Sequence, residues 1–258
     1  MSSSEAALLF SAALAAGVAN SLAGGGSFIS FPALLFTGML PVKANATNTV
    51  AVWPGILAST SAYRKALNWP LLKSMLPLIV VTISGSILGA LLLLKTPQTT
   101  FMRLVPWLLL AGTILFSLGP RITAWVKQRH AVRGPSRLIL ISVTLVQLCV
   151  GIYIGYYGAG VGFIILPLLS IVGIENIHAM NGLRTLLVTC GNAAAIVLFV
   201  IGRAVIWPQA LLMMLGAIIG GYAGAHYVQK MKPQVVRYLI IVIGCGMTAY
   251  FFWKTRGM

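Results

Sequence analysis

The chain is predicted to be an all-α polytopic membrane protein built from two homologous halves, and three observations predict it. First, 59% of its 258 residues are hydrophobic and only 8% charged, with a mean hydropathy of +0.97. No soluble core buries that much apolar surface on a chain of this length. Second, the sequence repeats itself. Displaced by 135 positions, Gly25, Phe28, Ile29, Pro32, Leu34, Gly38 and Ala44 fall on Gly160, Phe163, Ile164, Pro167, Leu169, Gly173 and Ala179. Gly85, Gly89 and Ala90 likewise fall on Gly220, Gly224 and Ala225. Apolar composition alone scatters matches of Ala, Leu and Ile, but it does not hold a register of Gly and Pro. Third, each half carries a glycine-rich break ahead of a short apolar segment. A duplicated apolar chain with interrupted segments is the pattern of a transporter whose substrate sits between its repeats.

Ten apolar segments follow in order: 6–22, 27–40, 44–63, 70–94 and 99–118, then 138–156, 162–174, 179–201, 207–228 and 234–253. The first has Glu5 and no preceding basic residue, so it lacks the charged start of a cleaved leader and reads as a helix. The second of each five is too short to cross a bilayer straight, which takes about 20 residues. Each is expected to be a half-helix, a re-entrant segment or an oblique helix, leaving 8–10 transmembrane segments. Backbone broken at membrane depth survives only where protein buries it or a wet cavity solvates it. The two short segments therefore mark a cavity. The expected organisation is a first repeat over 1–120, a basic cytoplasmic loop over 121–137 and a second repeat over 138–258.

The net charge of +16 belongs to the membrane rather than to nucleic acid, because most of the 18 Lys and Arg lie between apolar runs. If all ten segments cross, Arg64, Lys65, Lys73, Arg121, Lys127, Arg129, Arg133, Arg137, Lys230, Lys232 and Arg237 share one face, eleven against six on the other. The richer face is assigned to the cytoplasm. Five crossings per half make the repeats inverted; if the short segments fail to cross, the repeats become parallel. Cys149, Cys190 and Cys245 lie inside apolar runs without CxxC spacing, which argues for packing and against disulfides or zinc.

The breaks carry the chemistry. Gly24-Gly25-Gly26-Ser27 precedes the first short segment, and Gly158-Ala159-Gly160-Val161-Gly162 precedes the second. Clustered glycines let a ligand approach main-chain amides. The helix that follows presents unpaired N–H groups and the positive end of its dipole, which suits an anion. Small residues also permit tight helix crossings, and that reading is preferred for Gly85/Gly89 and Gly220/Gly224. The helix after each break carries a polar stripe. At about 100° per residue, His178, Asn181, Thr185, Thr189 and Asn192 fall within roughly 80°. Asn45, Asn48, Thr49, Ser59, Thr60 and Tyr63 fall within roughly 120°, distorted by Pro54. Arg184 borders the second stripe as the one charge well inside an apolar segment, either snorkelling to the interface or balancing an anionic substrate. His178, near a helix start, is expected at the surface. The candidate substrate-binding set is Gly24, Gly25, Gly26, Ser27, Asn45, Asn48, Gly158, Gly160, Gly162, Asn181, Arg184 and Thr185, with no catalytic or metal-binding residues and no cofactor.

The glycine run, the Pro that follows it and then Ala44-Asn45-Ala46-Thr47-Asn48, with a looser second copy, resemble the TauE/SafE family of sulfite exporters over nearly the whole chain. The resemblance implies a multi-pass protein of the bacterial cytoplasmic membrane that exports sulfite, thiosulfate or small organosulfonates; the expected partners are a small anionic substrate and the lipid bilayer, not nucleic acid. Members of that family often carry Asp where this chain has Asn20 and Ile154, and a Lys near Arg184. The chain thus lacks interior carboxylates for proton coupling, while Arg184 can supply the cation. The alternatives are a transporter of another small organic anion and, less favoured, a structural membrane protein or an intramembrane enzyme, which lacks materials: Glu5 and Glu175 are the only side-chain carboxylates, and there is no HExxH. A metal carrier would need interior Asp, Glu or clustered Cys and His.

Overall fold

A computed structural model describes residues 1–22, 25–130, 137–227 and 233–256. Gly24, Arg133, Lys230 and Lys232 lie outside the described residues. Among the described residues ten α-helices occupy the ten apolar segments: α1 Ser3–Leu22, α2 Ser27–Phe36, α3 Pro41–Ala62, α4 Trp69–Lys95, α5 Gln98–His130, α6 Arg137–Tyr156, α7 Gly162–Ile171, α8 Ile177–Ile201, α9 Trp207–Tyr227 and α10 Pro233–Thr255. A short 3-10 turn, Arg64–Ala66, links α3 to α4. No strand occurs among the described residues.

Five of these helices are long and apolar enough to cross a membrane on length and composition: Trp69–Lys95, Gln98–Val126, Arg137–Tyr156, Ile177–Ile201 and Arg237–Thr255. Their outer faces carry large exposed apolar side chains, as with Leu76, Val80, Ile87, Leu88 and Leu91 along α4. Such a belt belongs against lipid. Two of the three cysteines, Cys149 and Cys245, are exposed on α6 and α10 rather than packed inside, and all three are free thiols.

The short helices are too short to cross a bilayer straight on their own. With 10 residues each, α2 and α7 span about 15 Å. Gly26, at the start of α2, sits against the Ala16 carbonyl of α1, and Thr37–Leu40 beyond its end line a surface pocket with Met1, Glu5 and Leu9. The first two helices thus form a re-entrant hairpin that returns the chain to the face where it began. The alternation of ten segments survives, although α2 itself goes only part of the way.

Glycine sets the closest helix contacts. Gly85 and Gly89 of α4 meet the backbone of Leu148, Gly151 and Ile152 on α6, while Gly155 of α6 meets Ser86 and Ala90. The pair therefore runs parallel. In the same way Gly216 and Gly220 of α9 lie on Phe10 and Leu14 of α1, and Gly17 lies on Ala217 and Gly221. Exchange of halves converts one pair into the other, and also converts α4 on α8 into α9 on α3. The counterpart helices α3 and α8 run antiparallel, with Thr60 Oγ1 3.0 Å from Thr189 Oγ1, Gly182 beside Tyr63, and Ile206 N donating to Thr47 Oγ1. So do α5 and α10, through Trp107 on Phe252, Thr113 beside Gly244 and Arg237 beside Phe116. Opposed counterparts are what inverted repeats require.

The fifth helix runs past its expected end at 118 to His130, so the polar stretch from 121 begins as helix rather than loop. Pro120 deprives the Phe116 carbonyl of its helical donor. Arg237 Nη2 replaces it, donating to Phe116 O at 3.1 Å and Ser117 O at 2.5 Å. This cation at the start of α10 thus holds α5 through its carbonyls.

Because a Cβ at Gly155 would land on the Ser86 carbonyl oxygen and within 2.8 Å of the Ala90 amide, Gly155→Val is expected to force α4 and α6 apart. A penalty above about 2 kcal/mol should appear as a clear drop in melting temperature in detergent. Gly246→Ala, with nothing within 4 Å of its Cβ, should leave that temperature unchanged or raise it.

Candidate functional site

The two breaks meet on the same stretch of α5. Phe28, just after the first, packs edge-on against Phe116, and its ring fills the space beside Gly112. Gly160, in the second, lies against the Gly112 carbonyl, and Phe163 packs on Phe116 and Gly119. A cavity lies beside them, lined by break residues and by both polar stripes. It leaves about 80 Å³ open to the centres of water-sized molecules, several times the roughly 10–15 Å³ that one water needs. Gly25, Ser27, Gly158, Gly160, Gly162, Arg184 and Thr185 line it, as the sequence predicts.

The breaks are not equivalent. Gly25 takes a left-handed conformation with φ +113°, but its amide and that of Gly26 both donate to Asn20 Oδ1, at 3.1 and 2.8 Å. Two of the expected open amides of the first break are therefore occupied, while that of Ser27 has no acceptor among the described residues. Gly26 faces the backbone of α1 and lies outside the cavity lining. In the second break Gly155 stands at the position equivalent to Asn20, so no carboxamide is there to fill it. Gly158 and Gly160 have φ of +77° and +75°. Tyr153 Oη donates to Ala159 O, Phe163 N donates to Gly160 O, and Ile164 N to Val161 O. The amides of Gly160, Val161 and Gly162 have no acceptor among the described residues. They start α7, where the helix dipole is positive.

Glycine is required at 160 by the backbone itself, because a Cβ there would sit 2.8 Å from the Gly112 carbonyl oxygen. At Gly162 the neighbour is different: a Cβ would lie 3.1 Å from Arg184 Cδ and 3.7 Å from Nε. The Arg184 side chain thus runs across the first turn of α7. It is half-buried, and no acceptor for it occurs among the described residues. The two carboxylates lie elsewhere: Glu5 by the N-terminal surface pocket, and Glu175 exposed ahead of α8. An unneutralised guanidinium therefore shares the cavity with the positive end of a helix.

Polar groups complete the wall. Thr49 and Ser59 of α3 donate back to Asn45 O and Gly55 O, and Thr185 to Asn181 O and Gly182 O. Asn192 faces the cavity and has no protein partner among the described residues. Three expected selectors sit elsewhere. Asn45 Nδ2 donates to Tyr156 O at 3.0 Å; Asn48 joins Ser27 and Ser30; Asn181 lies outside the lining. Asn45 and Asn48 tie α3 to α6 and α2, on the side of the cavity toward the start of α3. Arg184, seven residues into α8, and Ser59, near the end of α3, lie toward the face carrying Arg64, Lys65 and Arg137. His178 is exposed, as expected.

Asn20, Ser59, Tyr157 and Asn192 also line the cavity without having been selected as site residues. Ser59 and Asn192 belong to the helical stripes, where the signal was present. For Asn20 and Tyr157 no periodicity marked them.

Among known proteins, residues 9–251 match the family model for the sulfite exporter TauE/SafE. The probable membrane transporter protein YfcA of Escherichia coli K12 is 29% identical over 253 residues, covering 97% of this chain and 90% of the relative. A probable membrane transporter protein, ORF9, of a Sinorhizobium species is 31% identical over 245 residues, covering 93% and 90%. One of Haemophilus influenzae is 30% identical over 247 residues, covering 94% and 92%. No solved structure matches the chain significantly. With ten apolar helices, a cavity at their breaks and these relatives, the chain belongs to the TauE/SafE sulfite exporter family and is a multi-pass membrane transporter.

Proposed function

We propose that the protein exports a small oxyanion of sulfur, such as sulfite, thiosulfate or a small organosulfonate, across the cytoplasmic membrane, and that the cavity beside the second break is its substrate site. One observation carries the reading. Arg184 lies across the first turn of α7, where three successive amides lack acceptors, and no carboxylate balances either. A cation held against the positive end of a helix is electrostatically unfavourable until an anion enters between them. The guanidinium fork matches the paired oxygens of an oxyanion, and the amides supply further charge-assisted bonds. The family model supports sulfur oxyanions as cargo.

The cavity lies toward the lysine- and arginine-rich face, and the Asn45 and Asn48 bonds lie on its opposite side. This is an inward-facing arrangement in which substrate enters from the cytoplasm. Opposed halves then exchange roles to open the other side.

Arg184→Ala is expected to give folded protein, with a melting temperature near the parent's, that has lost transport or needs at least about a hundredfold more substrate. Arg184→Lys should retain part of the activity, since a point charge replaces the fork. Counterflow of labelled sulfite and thiosulfate in proteoliposomes measures both; normal transport by Arg184→Ala would remove this residue from the site. Gly162→Ala should displace the Arg184 stem and raise the half-saturating concentration about three-fold or more, with little change in melting temperature.

The cavity contains no carboxylate, so nothing in it resembles the titrating acid of a proton relay. An anion leaving a cell with a negative interior gains about 2.3 kcal/mol per charge per 100 mV. A valinomycin-imposed potential should therefore set the rate and direction of thiosulfate movement, and a pH gradient should not. Uphill thiosulfate movement driven by a pH gradient at zero potential would refute this uniport.

A further inference from the structure

We infer that the hydroxyl of Tyr157 is a substrate-binding donor in this cavity, added to Arg184 and the amides of the second break; the inference rests on the proposed anion site. Tyr157 closes α6 and opens the break. It is only 4% exposed, and its ring packs edge-on between Phe31, at 5.4 Å, and Tyr153, at 6.2 Å. Everything the ring does there, phenylalanine would do as well. The hydroxyl is a different matter, because it is buried and has no hydrogen-bond partner among the described residues. A buried hydroxyl without a partner is destabilising, and native proteins keep few of them.

The neighbouring tyrosine sharpens the point. Tyr153, one turn earlier, directs its hydroxyl to Ala159 O at 2.8 Å and thereby braces the break. Tyr157 lines the same cavity as Gly160, Gly162 and Arg184, yet braces nothing. The first repeat has Leu22 at the equivalent position, so the fold of the repeat has no need of a hydroxyl there. The hydroxyl appears in the half whose break has three open amides and no side-chain acceptor for them.

The unmatched groups, a guanidinium, three amides, a phenol and the Asn192 carboxamide, can all donate, and the guanidinium and amides can only donate. An oxyanion is the acceptor common to them. The phenol is already stripped of water in the empty protein, so a hydrogen bond to a charged oxygen replaces no bond to solvent. Such a bond forms as the walls close on the substrate, and it favours anions with several oxygens over spherical halides.

The test is Tyr157→Phe in the purified full-length protein, reconstituted in proteoliposomes and assayed by counterflow with labelled sulfite and with labelled thiosulfate. The half-saturating concentration for both should rise about ten-fold or more, with the maximal rate little changed. The melting temperature of the empty variant should equal or exceed the parent's, because no protein hydrogen bond is removed, while the upward shift produced by saturating sulfite should shrink. Half-saturation within about two-fold of the parent overturns the inference, whether or not the variant melts lower; a lower melting point with it would make the hydroxyl structural. If the parent protein moves neither sulfite nor thiosulfate and is stabilised by neither, the proposed function fails and the inference falls with it. A transporting parent matched by Tyr157→Phe sinks the inference alone.

Discussion

A helix interrupted at membrane depth must satisfy its loose backbone groups inside the protein, since lipid offers them nothing. Each half of this chain meets that constraint with a break followed by a ten-residue helix. In the first, α2 folds back along α1, and Asn20 accepts from both amides at the turn. In the second, Tyr153 bonds to Ala159 O while three amides remain open. The close glycine contacts of α1 on α9 and α4 on α6 hold these hairpins in a frame tight enough to bring both breaks onto the middle of α5. Without that approach the breaks would be two separate defects. Together they enclose one cavity.

The frame obeys the exchange of halves, but the chemistry does not. Glycine and proline recur at matching positions because helix crossings and turns depend on backbone shape, which both halves must share. Asn20 faces Gly155, and Leu22 faces Tyr157, across the same alignment. In one break Asn20 accepts from two amides, and in the other three amides have no acceptor among the described residues. Duplication thus supplies the frame, whereas divergence at a few positions sets the two breaks apart.

Much of this was legible in the sequence, and the limits have physical causes. Segment bounds follow from hydropathy, and all ten helices lie on the expected segments. The fifth helix ran long because a proline ends a helix only if nothing receives the carbonyl it frees; Arg237 receives that of Phe116. Helical angle placed Thr49, Ser59, Thr185 and Asn192 correctly on an inner face. It failed for Asn45 and Asn48, because sharing a face does not distinguish a side chain that lines a cavity from one hydrogen-bonded to its wall. Asn20 was missed as a cap since its partners become neighbours only after the chain turns back. Tyr157 looked like any aromatic in an apolar run.

Arg184 draws these strands together. The chain has 18 basic residues and two acidic ones, so an interior cation has almost no chance of an internal counter-charge. Arg237, at the start of its helix near the basic face, gives Nη2 the Phe116 and Ser117 carbonyl oxygens, which do not cancel its charge. Arg184 lies instead across glycine at the start of a helix, where the backbone presents donors and no acceptor. A protein stable without ligand would more readily place an acceptor there. That it has none, in a wall otherwise built of hydroxyls and amides, is the observation on which the proposed anion site rests.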